Sequence, residues 1–164
     1  MLSTDIKYYL SGGVANTNPN LSLGGTISNT EVSSTLNGLF DVVSPEEASD
    51  GDIEYRCIWV KNNNITETLY NAYLYISSET TSIDTSVKLA YDSAGLQTII
   101  NENTAPSSPA LTFSAATTKL TGTAIGNLAP GIAKMIWLQW TVTAGASKLN
   151  SDAGALVITG GITT

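Results

Sequence analysis

The residues with the clearest capacity for chemistry are six carboxylates within fourteen positions: Asp41, Glu46, Glu47, Asp50, Asp52 and Glu54, with no base among them. Oxygen-rich clusters suit calcium, and Asp50-x-Asp52-x-Glu54 resembles the start of a calcium loop. The later ligands and the closing bidentate glutamate are missing. The plainer interpretation is a solvated acidic face with one capping carboxylate, and calcium at Asp50, Asp52 and Glu54 is the weaker alternative. A catalytic carboxylate pair would need one member buried to raise its pKa, and nothing in the pattern indicates that burial. The chain has no histidine, which excludes Ser-His-Asp hydrolysis, histidine-ligated zinc and most general-base schemes. Cys57 is the single cysteine. It forms no internal disulfide, builds no thiolate metal site alone, and lies mid-strand among apolar residues as an inert thiol. No phosphate loop, dinucleotide fingerprint, nucleophile elbow or Cys-x-x-Cys pair is present. The expectation is a protein that is not an enzyme and carries no cofactor.

Tyrosines offer contact rather than catalysis, since each combines apolar area with a polar tip. Tyr8, Tyr9, Tyr70, Tyr73, Tyr75 and Tyr91 could serve a protein or a sugar. Alternation sets Ile6, Tyr8 and Leu10 against Lys7 and Tyr9. It also sets Tyr73 and Tyr75 on the face opposite Leu74 and Ile76. The candidate partner-binding set is therefore Ile6, Tyr8, Tyr9, Leu10, Tyr73 and Tyr75, with ordinary cross-strand packing as the alternative.

The elements that must position these residues read as strands. The 164 residues include 22 Thr, 18 Ser and 13 Asn, and only 13% are charged. β-branched Thr favours strands, while Ser and Asn compete with a helix for backbone hydrogen bonds. One domain is the default at this length. Residues 1–30, rich in Gly, Asn and Ser, read as an extended N-terminal arm whose strand-like patches pair with the domain's own sheet edge or with a neighbouring chain. Deleting residues 1–25 is expected to spare the fold. Residues 31–164 read as a β-sandwich domain. Ser44-Pro45-Glu46-Glu47 is a capping box with Pro at the first helical position, and Gly51 supplies the stop, giving one short helix near 45–49. Strands follow at Asp52–Lys61, Thr68–Ser77, Val87–Leu89, a short alternation at Leu111, Phe113 and Ala115, then Ala133–Thr143 and Leu156–Ile158. Pro130-Gly131 makes the turn before the strongest of them. Tyr55–Val60 and Met135–Trp140 read as doubly covered central strands of opposed sheets, with Trp59 and Trp137 or Trp140 in the core. About seven or eight strands with a turn roughly every ten residues make an all-β, immunoglobulin-like Greek-key sandwich the expected fold class.

Formal charge is −7, from 14 acids and 7 bases, so no nucleic-acid partner is expected. No apolar stretch approaches a membrane span, and the amino terminus lacks the basic and apolar regions of a signal peptide. Synthesis in a reducing cytoplasm, with no membrane partner, is the corresponding expectation.

Particular residues then carry a resemblance. Leu39-Phe40-Asp41-Val42-Val43-Ser44, the acidic one-turn helix, and Gly51-Asp52-Ile53-Glu54-Tyr55-Arg56-Cys57-Ile58-Trp59-Val60-Lys61-Asn62 resemble tailed-bacteriophage virion structural proteins. More narrowly, the pattern is similar to immunoglobulin-like decoration (cement) proteins of capsid exteriors. In it a Gly-Asp-x-Glu-Tyr-Arg strand runs into a Val-Lys-Asn turn, a strand like Leu69–Ile76 follows, and a Pro-Gly turn precedes a Trp-bearing strand. The likeness covers residues 40–90 and, more loosely, 125–160. It implies a non-enzymatic protein, made in the host cytoplasm and carried on the virion, that stabilises the capsid by bridging major capsid protein subunits on the outer surface. A homo-oligomer, trimer favoured, fits lattice axes. The alternatives are a tail, neck or baseplate protein of the same virion, or a carbohydrate-binding sandwich.

Overall fold

The computed structural model describes residues 2–148 and 152–161. Seven strands form two antiparallel sheets: β1 (Ile6–Leu10), β2 (Asp52–Asn62), β3 (Leu69–Ser78), β4 (Thr85–Asp92), β5 (Thr123–Leu128), β6 (Ala133–Val142) and β7 (Ala155–Gly161). One sheet has the order β1-β2-β6-β4, the other β5-β3-β7. From β2 onward every connection crosses to the opposite sheet. The all-β sandwich expected from the sequence is the observed fold. Its four-stranded sheet has β6 between β2 and β4, where the constant-type immunoglobulin order has the fifth strand.

The inner faces meet in one core. Ile58 and Val60 of β2, Leu89 of β4, and Ile136 and Leu138 of β6 pack on Leu69, Ala72, Leu74 and Ile76 of β3 and Ile125 and Leu128 of β5. The opposite face of the four-stranded sheet is buried as well. Tyr55, Cys57, Met135 and Trp137 form a second cluster there, covered by Trp59, Ile99, Leu111 and Phe113. Coverage on both faces explains why β2 and β6 are nearly continuous apolar runs rather than alternating ones. The two strands are indeed doubly covered, but they are adjacent in one sheet, paired Arg56↔Leu138 and Ile58↔Ile136, not centres of opposed sheets. Period 2 fixes which face a residue takes and says nothing about which strand lies alongside. The tryptophans divide accordingly: Trp137 lies in the outer cluster, while Trp140 shares the inner face with Leu138.

The amino-terminal segment departs from a free arm. Ile6–Leu10 pairs with Asn62–Ile58, so the domain's own sheet edge takes it. Beyond β1, Ser22 completes the β2 edge: its carbonyl accepts from Cys57 N at 2.7 Å and its hydroxyl donates to Cys57 O at 2.6 Å. Ser11, Ser22 and Ser28 are buried, each with its hydroxyl hydrogen-bonded, as buried polar groups require. Gly24 adopts φ +96°, and a Cβ there would strike Gln97 O. The loop thereby approaches residues 97–99 closely enough for Gly25 N to donate to Gln97 O. Residues 6–10 are thus paired into the sheet, and Ser22 and Gly25 are hydrogen-bonded to the domain, which argues for loss of the fold, rather than its survival, on removing residues 1–25.

The single α-helix among the described residues, α1 (Pro45–Asp50), has the expected capping box. Ser44 Oγ accepts from Glu47 N at 3.2 Å and Ser44 N donates to Glu47 Oε2 at 2.7 Å. Gly51 ends it at φ +79°, against Ala144 and Val142, where a Cβ would crowd the backbone.

Candidate functional site

At the start of β2 the inner-face row Glu54, Arg56, Ile58, Val60 carries charge into the protein. Arg56 is fully buried, and Glu54 is 3% exposed. Along β2, Asp52 is half-buried and Ile53 exposed, and burial begins at Glu54. Arg56 Nη2 lies 2.5 Å from Glu102 Oε2, 3.2 Å from Glu54 Oε2 and 3.7 Å from Asp41 Oδ1. Its Nη1 donates to Tyr55 O at 3.3 Å. The guanidinium also lies 5.6 Å from the Phe40 ring centroid, and Phe40 tilts against Trp140 at 5.2 Å. Phe40 thus packs against both the Arg56 guanidinium and Trp140. Glu102 reaches the cluster because its carbonyl accepts from Tyr55 N at 2.7 Å.

Arginine cannot shed its proton at this depth, so it requires carboxylates close by. The fit is imperfect, because Arg56 Nε and Nη2 and Glu54 Oε2 make no aligned hydrogen bond. The short N–O separations are thus Coulombic contacts without directionality. Burial raises the Glu54 carboxyl to about 8; Arg56 pulls it down, and Asp41, Glu102 and Glu47 push it further up. Asp50 stays on the exposed end of α1, away from this cluster. The carboxylate oxygens that converge are Asp41, Glu54 and Glu102, and separately Glu47, Asp52 and Glu54, each set within 4.8 Å. Of the calcium candidates Asp50, Asp52 and Glu54, the structure brings together the last two.

The tyrosine set divides by face. Ile6 and Tyr8 pack on the inner core, and Leu10 is 2% exposed, so these three serve the fold. Burial pushes the Tyr8 phenol up to about 12, although the Ile158 backbone N–H bonded to it pulls the other way. Tyr9 faces outward, its hydroxyl accepting from Asn63 Nδ2 at 2.8 Å and its ring 5.9 Å from Lys61 Nζ. Tyr73 and Tyr75 are half-buried on the outer face of the three-stranded sheet. Tyr73 stands between Thr159 and Ala124, and Tyr75 beside Val157. None of these neighbours is charged. Large apolar residues also tip several loops: Ile65, Ile83, Ile100 and Leu120 are 90%, 98%, 88% and 96% exposed.

Cys57 is fully buried and burial pushes its thiol up, away from the thiolate form. A cavity of about 690 Å³ opens between the sheets beside Tyr8, Val32, Phe40, Trp140 and Leu156. No helix among the described residues is long and apolar enough to cross a membrane.

The buried ion cluster is what sequence reasoning missed. A signal was available: Glu54 and Arg56 continue, at period 2, the row that becomes Ile58 and Val60. The partners Asp41 and Glu102 lie thirteen residues upstream of Glu54 and forty-six downstream of Arg56, and no local pattern links them. Compared with known proteins, the chain matches no family model, no curated protein and no solved structure.

Proposed function

We propose that this chain is a non-enzymatic structural protein of a phage virion that decorates the capsid exterior and bridges major capsid protein subunits, acting as a homo-oligomer with a trimer favoured. The observation that carries the reading is the uncharged outer face of the three-stranded sheet, where Tyr73 and Tyr75 stand half-exposed on a chain of net charge −7. Lattice proteins are held by many identical weak contacts, and tyrosine supplies contact area at low side-chain entropy cost. The apolar loop tips at Ile65, Ile83, Ile100 and Leu120 add further contact points. The resemblance of residues 39–62 to cement proteins supplies the location, and the chain's lack of histidine agrees with a role without catalysis. With Ile6, Tyr8 and Leu10 turned inward, the contact set reduces to Tyr9, Tyr73 and Tyr75. Electron microscopy of particles carrying labelled protein tests the proposal. A regular coat over the shell is expected. Label confined to one vertex or to the tail would transfer the role to a tail, neck or baseplate, and absence of label from any particle would end it.

A further inference from the structure

We propose that the gap between β1 and β7 takes an extended strand of another polypeptide, aliphatic at alternate positions and basic at its ends, which pairs with the open edge of β7. The inference does not rest on the virion reading. Two separate observations meet at this place, a sheet edge without a partner and an unfilled cavity beside it. The edge is read from the ladder. Ile76 N donates to Ala116 O, so the Ile76 backbone points away from β7. Leu156 faces Ile76 in the register and therefore points its own N–H and C=O away from β3. Ile158, two positions on, turns the same way, and its N–H meets the Tyr8 hydroxyl. Leu156 has no backbone partner on that side among the described residues. The other three sheet edges are protected. Val32 N donates to Tyr8 O beside β1, and Ser114 bonds to Leu89 of β4. The short β5 is kinked at Gly126, φ +71°, and Lys134 Nζ caps Ile125 O. β7 carries no charge and no proline, and so lacks the usual devices that discourage a new strand.

The cavity of about 690 Å³ is lined by Leu156 of β7 together with Tyr8, Val32, Ile76, Val87 and Leu138. Its size is that of pockets which enclose a whole ligand. The bond between Tyr8 and Ile158 sets β1 across from β7. Past β1 the four-stranded sheet gains residues 30–32, whereas the three-stranded sheet stops at β7. The space is thus where a further strand on β7 would send its inward side chains. Two other occupants fit less well. The β7 of a second copy would pair with the edge and leave the cavity empty, because its Leu156 and Ile158 serve its own core. A small apolar molecule would fill the cavity and leave the Leu156 N–H without a partner. An added strand does both, with main-chain hydrogen bonds for affinity and alternate side chains for the pocket. Charge sets its ends. The charged residues lining the cavity are Asp41 and Asp152, both acids, on a chain of net charge −7, so an acidic strand is repelled and a basic one is drawn in.

The probe is the synthetic peptide Lys-Ile-Thr-Val-Thr-Val-Thr-Ile-Lys, added to the full chain and also appended after Thr164 through a flexible Gly-Ser linker, which sets a roughly millimolar effective concentration. Tm and amide hydrogen exchange are the readouts. The appended strand is expected to raise Tm by at least about 3 °C, the shift for occupancy at roughly ten times Kd in a domain of this size. It should also slow exchange at Leu156 about tenfold or more. A peptide of the same composition with the alternation broken, Lys-Thr-Ile-Ile-Thr-Val-Val-Thr-Lys, should do neither, because its apolar residues no longer share a face. Leu156→Pro, which removes the outward donor at an edge where proline is tolerated, should cancel the Tm gain. No change in Tm or exchange from the appended alternating strand would overturn the proposal. So would equal effects from the broken pattern. A Tm gain without protection at Leu156 would overturn it as well, by showing an apolar ligand in the cavity and a free edge. These arms use the wild-type domain and decide even if Leu156→Pro fails to fold. Equal effects from a peptide with glutamate at both ends would overturn the basic character assigned to the partner.

Discussion

The four-stranded sheet and the three-stranded sheet present their surfaces in opposite ways. The first is covered on both faces, by the inner core and by the loops carrying Ile99, Leu111 and Phe113. Its edges are closed too: residues 28–32 hydrogen-bond to β1, and Ser114 exchanges two backbone hydrogen bonds with Leu89 of β4. The second sheet is buried on one face and sets Tyr73 and Tyr75 on the other. Covering an edge removes a template for unwanted strand pairing, so the four-stranded sheet behaves as scaffold. The uncharged tyrosine face is where the proposed contact with other molecules lies. Stability and attachment are therefore separable: damage to the first sheet should unfold the protein, and damage to the second should spare the fold.

Removing residues 1–25 is the largest test of that separation. The deletion takes away β1, the Ser22 bonds that finish the β2 edge, and the Gly24–Gly25 loop that covers Trp59, whose indole N–H donates to Gly25 O at 3.1 Å. A domain's net stability is only about 5–15 kcal/mol, and losing an edge strand with its core residues Ile6, Tyr8 and Leu10 consumes most of it. The truncated chain is expected to show no cooperative thermal transition by circular dichroism. A sharp melt within a few degrees of wild type would mean that residues 1–25 are an appendage after all.

The ion cluster sharpens the comparison through pH, because it is charge placed in the scaffold. With the Glu54 carboxyl raised to about 8 by burial first, the folded state keeps its proton where the unfolded chain, with an ordinary carboxyl, has lost it. Stability from this group is fully present below about 4.5 and is lost as pH rises toward 8, with no further change above. Each tenfold gain in proton affinity on folding corresponds to about 1.4 kcal/mol, so the complete window is worth up to about 5 kcal/mol. Urea unfolding in chelator at pH 5, 6.5 and 8 should show that decline in wild type and a flatter profile in Glu54→Gln. Equal slopes in the two proteins would refute the assignment.

The legibility of these features follows their locality. The helix cap at Ser44 and Glu47, the Gly51 stop and the strands around Trp59 and Trp137 are written in contiguous residues, and a local pattern suffices to find them. β5 is not legible as a strand, because Gly126 at φ +71° and Asn127 interrupt it and Asn71 at φ +47° marks the matching irregularity in β3. Residues 111–115 alternate as a strand should, yet contribute only the single bridge from Ser114 to Leu89, since their apolar side chains serve as a lid over Tyr55 and Trp137. Ser22 reads as loop because its burial arises from contact with Cys57, thirty-five positions away. For the same reason the Arg56 cluster is hidden in the sequence: its carboxylates come from three separate segments.

The smallest expected change in stability belongs to the tyrosine face, and it is the most discriminating. Replacing Tyr73 and Tyr75 together by Thr keeps strand propensity and removes two half-exposed rings. Loss of their cross-strand contacts with Thr159, Ala124 and Val157 should cost about 1 kcal/mol. Trp137→Leu, a single substitution under the loops, should cost about 3 kcal/mol or more because it opens a cavity in a closed layer. The attachment readout is expected to run the other way. Co-sedimentation with capsids should fall at least tenfold for the tyrosine pair and stay near wild type for Trp137→Leu at a temperature where it remains folded. Many copies of one contact amplify a small loss per contact into a large loss of occupancy, which is how a change barely visible in a melt becomes decisive on a lattice. If the double variant melts like Trp137→Leu, the outer face is part of the core and the two sheets are alike. If it melts near wild type and still binds fully, attachment lies elsewhere, and the loop tips at Ile83 and Leu120 become the surface to change next.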